Sequence, residues 1–187
     1  MEIKVFSESI DSLKNDVLTL GFFSDERPPR GYCGQLDWRL NGIISTLMAK
    51  GRIGGTFMEK VLISPNGRIP STKILLIGLG DLARLTYDTL YTTGQTMAQT
   101  LSDMACDEYV FDIPGTGKCE LDVAQMATTM ISGFTDGLAA RGVPDGNTLP
   151  ISILGDEDHM AEIILGMHTF KVAAGKGARI TIREVVT

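Results

Sequence analysis

The sequence predicts an α/β fold, a three-layer α/β/α sandwich around a mixed, mostly parallel sheet. Three observations carry that expectation. Strand-like and helix-like segments alternate for most of the chain, the order that places crossover helices on both faces of a parallel sheet. Val17-Leu18-Thr19-Leu20-Gly21-Phe22-Phe23 is a near-continuous apolar run, the pattern of a strand buried on both faces. And 187 residues with 43% apolar and 21% charged side chains are enough for a full hydrophobic core and exclude a disordered chain. No repeat and no linker interrupts them, so a single domain over residues 1–187 is expected.

The first strand is expected at residues 3–6 and the second at 17–23, which ends in the turn chemistry of Ser24-Asp25-Glu26-Arg27-Pro28-Pro29-Arg30-Gly31. Leu36, Leu40, Ile43, Ile44 and Leu47 recur at helical spacing and predict a helix over 35–50, stopped at Lys50-Gly51. Strands at 58–63 and 73–77 flank Ser64-Pro65-Asn66-Gly67, an Asn-Gly hairpin signal. A long helix is expected over 82–104 with Leu85, Leu90, Met97 and Leu101 inward, then a strand at 109–113 broken by Pro114-Gly115-Thr116-Gly117. Val123, Met126, Met130, Ile131 and Phe134 predict a helix over 121–140, ended by Gly142-Val143-Pro144. A strand at 151–154, a helix from the acidic Asp156-Glu157-Asp158 to about Phe170, and an alternating strand at 179–186 complete the chain.

Composition narrows the function. A net charge of −6 and only 6% aromatics disfavour nucleic acid, whose phosphates an acidic surface repels. No apolar stretch is long enough to span a bilayer, and Met1-Glu2-Ile3-Lys4-Val5 lacks the pattern of an export signal. Cys33, Cys106 and Cys119 are an odd number without C-x-x-C spacing; with two His residues they predict no zinc site and fit a cytoplasmic chain. No metal, cofactor or catalytic residue is expected.

Two glycine turns are candidate anion sites. Gly78-Leu79-Gly80-Asp81-Leu82-Ala83 follows a strand and fits the dinucleotide pattern, with Asp112 at the end of the next strand where a ribose-binding acid sits. A tight structural turn explains the same residues, and Asp81 places a carboxylate where pyrophosphate would lie. Pro114-Gly115-Thr116-Gly117-Lys118-Cys119 offers backbone N–H groups, a hydroxyl and an ammonium to a phosphate, but Cys119 after Lys118 departs from the P-loop pattern. Cys119 at a helix start would have a lowered pKa, and Cys33 is a similar candidate. His159 with Asp158 and Glu162 has ligand-like spacing, though a solvated acidic helix face explains it better.

Three segments together resemble the N-terminal domain of the leucine (cytosol) aminopeptidases: Asp16-Val17-Leu18-Thr19-Leu20-Gly21-Phe22-Phe23, the helix with Leu36-Asp37, and Ile74-Leu75-Leu76-Ile77-Gly78-Leu79-Gly80. Arg84, Gly94 and Val110-Phe111-Asp112-Ile113-Pro114 extend the likeness. It implies a macro-domain-like sandwich placed before a separate catalytic domain holding two metal ions, a catalytic Lys and an Asn-Thr-Asp-Ala-Glu-Gly-Arg segment, none of which these residues contain. ADP-ribose-binding macro domains use two glycine-rich loops, and Gly31-Tyr32-Cys33-Gly34 and Gly115-Thr116-Gly117 are similar to them. Leu20-Gly21-Phe22-Phe23 stands where those domains carry an Asn-containing segment. The first expectation is therefore a stand-alone, non-catalytic binding or assembly and regulatory module, with a second copy or a protein partner left open. The alternative is a macro-like binder of a phosphate-bearing small molecule, a nucleotide or an ADP-ribose-like compound, at Gly31, Gly34, Gly115, Thr116, Gly117 and Lys118. The third is an NAD-type oxidoreductase using the turn at 78–83.

Overall fold

Alternating apolar side chains along the strands build two cores, one on each side of a single sheet. The computed structural model describes residues 1–7, 9–106, 108–143, 150–175 and 179–185. Among them the strands are β1 (Glu2–Phe6), β2 (Val17–Phe22), β3 (Lys60–Ile63), β4 (Lys73–Gly78), β5 (Tyr109–Asp112), β6 (Pro150–Leu154) and β7 (Thr181–Val185). The helices are α1 (Gly31–Arg39), α2 (Ile43–Ala49), α3 (Tyr87–Asp103), α4 (Val123–Ala140) and α5 (Met160–Ala173). The strands lie in the order β3-β4-β2-β5-β6-β1-β7. Only β3 runs antiparallel to its neighbour, so the sheet is mixed and mostly parallel, as expected.

Side-chain parity decides the layers. Val17, Leu75, Ile77, Tyr109, Phe111, Ile151 and Ile153 face α3, α4 and α5, where Phe134 sits 5.0 Å from the Phe111 ring and 5.3 Å from Tyr109. Leu18, Leu20, Phe22, Ile74, Leu76 and Val110 face the other way, onto Cys33, Leu36, Leu40, Ile44 and Met48 of α1 and α2. The runs in β2 and β4 are apolar on both parities because both faces are covered. The fold is the predicted α/β/α sandwich.

Several boundaries differ from the sequence expectation. The helix over 35–50 is two helices, because Asn41 and Gly42 take left-handed backbone angles (φ 57° and 73°) and turn the chain. The buried Asp37 then caps α2, accepting the Ser45 N–H at 3.0 Å. The helix over 82–104 starts at Tyr87, after a short 3₁₀ turn (Leu82–Arg84) capped by Asp81, and Thr86 supplies its N-cap. The helix expected from Leu121 starts at Val123 behind the Asp122 cap, and the one expected from Asp156 starts at Met160. β3 and β4 pair from Ile63 with Ile74, so Asn66-Gly67 turns within a long connection rather than a two-residue hairpin. Pro144 and Val186 lie outside the described residues. No described helix is long and apolar enough to cross a membrane.

Candidate ligand site at the strand ends

β2 passes the chain to α1 on one face of the sheet, and its neighbour β5 passes it towards α4 on the other. Adjacent parallel strands whose exits diverge leave a crevice at their carboxyl ends. Here the crevice is a cavity of about 110 Å³ bounded by Gly21, Gly31, Asp112, Gly115, Lys118 and Asp156, among others. One water needs roughly 10–15 Å³ on this measure, so the cavity takes a small polar group rather than a whole dinucleotide. A more open cleft of about 660 Å³, along Asp25, Leu82, Lys118, Glu120 and Leu121, adjoins it at Lys118.

Asp112 closes β5 and is 7% exposed. The Gly21 N–H donates to its Oδ1 at 3.2 Å. Burial pushes its carboxyl up to about 6, against the pull of the Gly21 N–H and the Lys118 ammonium. Tyr32, also at the cavity, has its phenol held above the ordinary range by burial and by the nearby charges of Asp112 and Asp156.

Lys118 links the two glycine-rich segments. Its Nζ donates to Glu26 Oε2 at 3.0 Å and lies 5.7 Å from the Phe23 ring centroid. A Cβ placed on Gly31 would come within 3.3 Å of that Nζ, so α1 begins directly against the ammonium. Gly115 (φ 89°) turns the chain below it, and the Thr116 hydroxyl donates to the Ile113 carbonyl at 2.7 Å, bracing the turn.

The structure thus brings Gly31, Gly115, Thr116 and Lys118 to one cavity. Gly34 packs instead against the Pro29 carbonyl, and Gly117 backs onto the His159 ring. Cys119 is not at a helix start: four residues ahead of α4, it directs its thiol to the Gly115 carbonyl at 3.4 Å. Cys33 is buried in α1, and that burial pushes its thiol up, the reverse of an activated nucleophile. His159 pairs with Asp156, Nδ1 to Oδ1 at 2.6 Å, and among the described residues no group of three or more His, Cys, Asp or Glu converges on a metal position.

The turn at 78–83 is closed. The Gly80 N–H donates to the Gly55 carbonyl at 2.8 Å, Leu82 N–H to Asp25 at 3.0 Å and Ala83 N–H to Asp81 at 3.0 Å. A Cβ on Gly78 would lie 2.1 Å from the Thr56 carbonyl oxygen. Donors that a pyrophosphate would need are already bonded within the chain, so the glycines serve close packing, not a dinucleotide. The residues that sequence reasoning missed are Glu26, Asp156 and Asp112 in its present role. For Asp112 the signal was there: a carboxylate inside an otherwise apolar strand.

Residues 19–138 match the N-terminal domain of the cytosol aminopeptidase family. The chain belongs to that family. A protein of Alkaliphilus oremlandii described as a probable cytosol aminopeptidase is 30% identical over 78% of this chain and 31% of its own length. A Picosynechococcus protein of the same description is 29% identical over 89% of this chain and 35% of its own. The chain therefore spans about a third of these aminopeptidase relatives. In structure it resembles a leucine aminopeptidase of tomato (TM-score 0.65, 17% identity, covering 91% of this chain and 36% of that one). It also resembles an Oceanobacillus iheyensis macrodomain (0.68, 12%, covering 90% and 92%). A third is a Trypanosoma brucei macrodomain in complex with ADP-ribose (0.65, 14%, covering 92% and 69%). This cytosol aminopeptidase-family domain thus shares the macrodomain fold.

Proposed function

We propose that these residues form a binding module without peptidase chemistry of its own, and that its ligand is a small phosphate-bearing molecule held between the ends of β2 and β5. The observation that carries this reading is the cavity itself: it lies where the strand exits diverge, and Lys118 from one glycine-rich segment stands there against Gly31 of the other. A phosphate entering would take the place of the Glu26 carboxylate on Lys118, while the remainder of a nucleotide would find room in the cleft beyond. The macrodomain of similar fold in complex with ADP-ribose supports a phosphate ester as the class of ligand. Two-metal peptide hydrolysis needs several carboxylates converging within a few ångströms. The acids described at this cavity are instead paired with Lys118, His159 and the Gly21 amide.

Calorimetry with ribose 5-phosphate and ADP-ribose tests the binding. Saturable heat that disappears in Lys118→Ala is expected, and no heat at millimolar ligand would end the reading. Leucine-amide turnover by the manganese- or zinc-loaded protein, above a metal-only blank, would overturn the non-peptidase half.

A further inference from the structure

The cavity places a buried carboxylate, Asp112, beside Lys118, the ammonium of the proposed phosphate site. For an inorganic phosphate alone that arrangement is a handicap, since like charges repel most strongly where water is excluded. A strand end buried on both faces would be more stable with an apolar residue at this position. Nor does Asp112 neutralise Lys118, whose ion pair is with Glu26. Its carboxyl accepts the Gly21 N–H at 3.2 Å, which orients it in the cavity wall. A carboxylate fixed in this way is complementary to a hydrogen-bond donor, and a charge-assisted O–H···O⁻ bond is among the stronger ones a small site can make.

Resting on the phosphate reading above, we infer that Asp112 is the specificity residue of this site: it accepts a hydroxyl of the ligand, so that the cavity selects phosphorylated sugars and polyols over phosphate esters without hydroxyls. The charged groups around it fit that division. Lys118 and Arg30 lie at the cavity with Asp112 and Asp156, so an anionic end and a donor-bearing end of one ligand each have a counterpart. Tyr32 remains an un-ionised phenol there, able to donate or accept.

The test compares ribose 5-phosphate with methyl phosphate, which has no hydroxyl, by calorimetry on the wild-type protein and on Asp112→Asn and Asp112→Ala. Wild type is expected to favour ribose 5-phosphate by about tenfold, the worth of one charge-assisted bond. Either variant is expected to weaken ribose 5-phosphate about fivefold and to tighten methyl phosphate about twofold, because Asp112→Ala removes the acceptor, Asp112→Asn removes the charge that strengthens it, and both remove the repulsion. A merely structural role for Asp112 would move both ligands in the same direction. Equal wild-type affinities, or parallel changes in the variants, would overturn this inference and leave the phosphate site standing. Failure of both ligands to bind the wild-type protein would overturn the phosphate site and this inference together.

Discussion

Ionised Asp112 costs the fold stability, because its carboxylate is buried. Burial raises its pKa from 3.8 to about 6, so as pH rises the unfolded chain gives up this proton before the folded one does. Stability from this group is fully present below about pH 4 and is lost as pH climbs to about 6, a drop of about 3 kcal/mol. Asp112→Asn keeps an oxygen for the Gly21 N–H and removes the titration. It is expected to be more stable than wild type by up to about 3 kcal/mol near pH 7.5 and nearly equal to it near pH 4. Urea unfolding at the two pH values checks this; equal wild-type and variant stabilities at both would show that the carboxyl is not desolvated. Lys118 and Glu26 are the opposite case, a largely buried pair with side chains 23% and 9% exposed. Lys118→Met leaves Glu26 without its counter-ion and is expected to cost about 1–3 kcal/mol, mostly recovered in the double variant Lys118→Met, Glu26→Gln. A double-mutant cycle with zero coupling would contradict that pairing. In the sequence, Asp112 stood out as an acid at a strand end and Lys118 as an ammonium in a glycine turn. Glu26 did not, because a glutamate in a polar turn has no local signature.

Helix α3 and helix α4 meet through their backbones. A Cβ on Gly133 would lie 2.1 Å from the Tyr91 carbonyl oxygen, and one on Gly94 would lie 2.3 Å from the Met130 carbonyl oxygen. An exposed helical Gly→Ala change usually gains up to about 1 kcal/mol. Here the added methyl has only backbone to push against, and overpacking of this kind costs about 1–3 kcal/mol. Gly133→Ala is therefore expected to lower the thermal midpoint by several degrees, and a midpoint unchanged or raised would show that the helices part freely. In the sequence Gly94 entered only through the family likeness; its contact was not readable, because it depends on which helix lies across it. The same limit explains the helix breaks. Apolar spacing continued from Leu40 to Ile43 across the turn, while the Asn41-Gly42 dipeptide, the same pair read as a turn at Asn66-Gly67, marked the break. Strand placement was more legible than helix ends, since apolar runs report burial on both faces directly, whereas caps such as Thr86 and Asp122 compete with other polar residues nearby.

At the scale of the whole molecule, the alternation of strands and helices specified the layers but not the order β3-β4-β2-β5-β6-β1-β7, which decides where the cavity falls. Gly21 and Asp112 are 91 residues apart, and Glu26 and Lys118 are 92. They meet only because β5 pairs with β2 rather than following β4 outward. The same order sets the two edges of the sheet, and they are protected unequally. β7 carries exposed Arg183 and Glu184, with Arg183 bonded to Glu2 at 3.1 Å, and charged edges resist pairing with another chain. β3 is a short edge strand with exposed Lys60, but Leu62, two residues on and on the same face, is 59% exposed. An apolar side chain on an unpaired edge promotes strand-to-strand association between copies. Leu62→Lys is therefore expected to lower any rise in apparent mass with concentration, measured by sedimentation velocity, and to change unfolding free energy by no more than about 0.5 kcal/mol, as exposed positions do. A loss of more than about 1 kcal/mol would mean that Leu62 packs against its own chain, and unchanged association would place the self-contact away from β3.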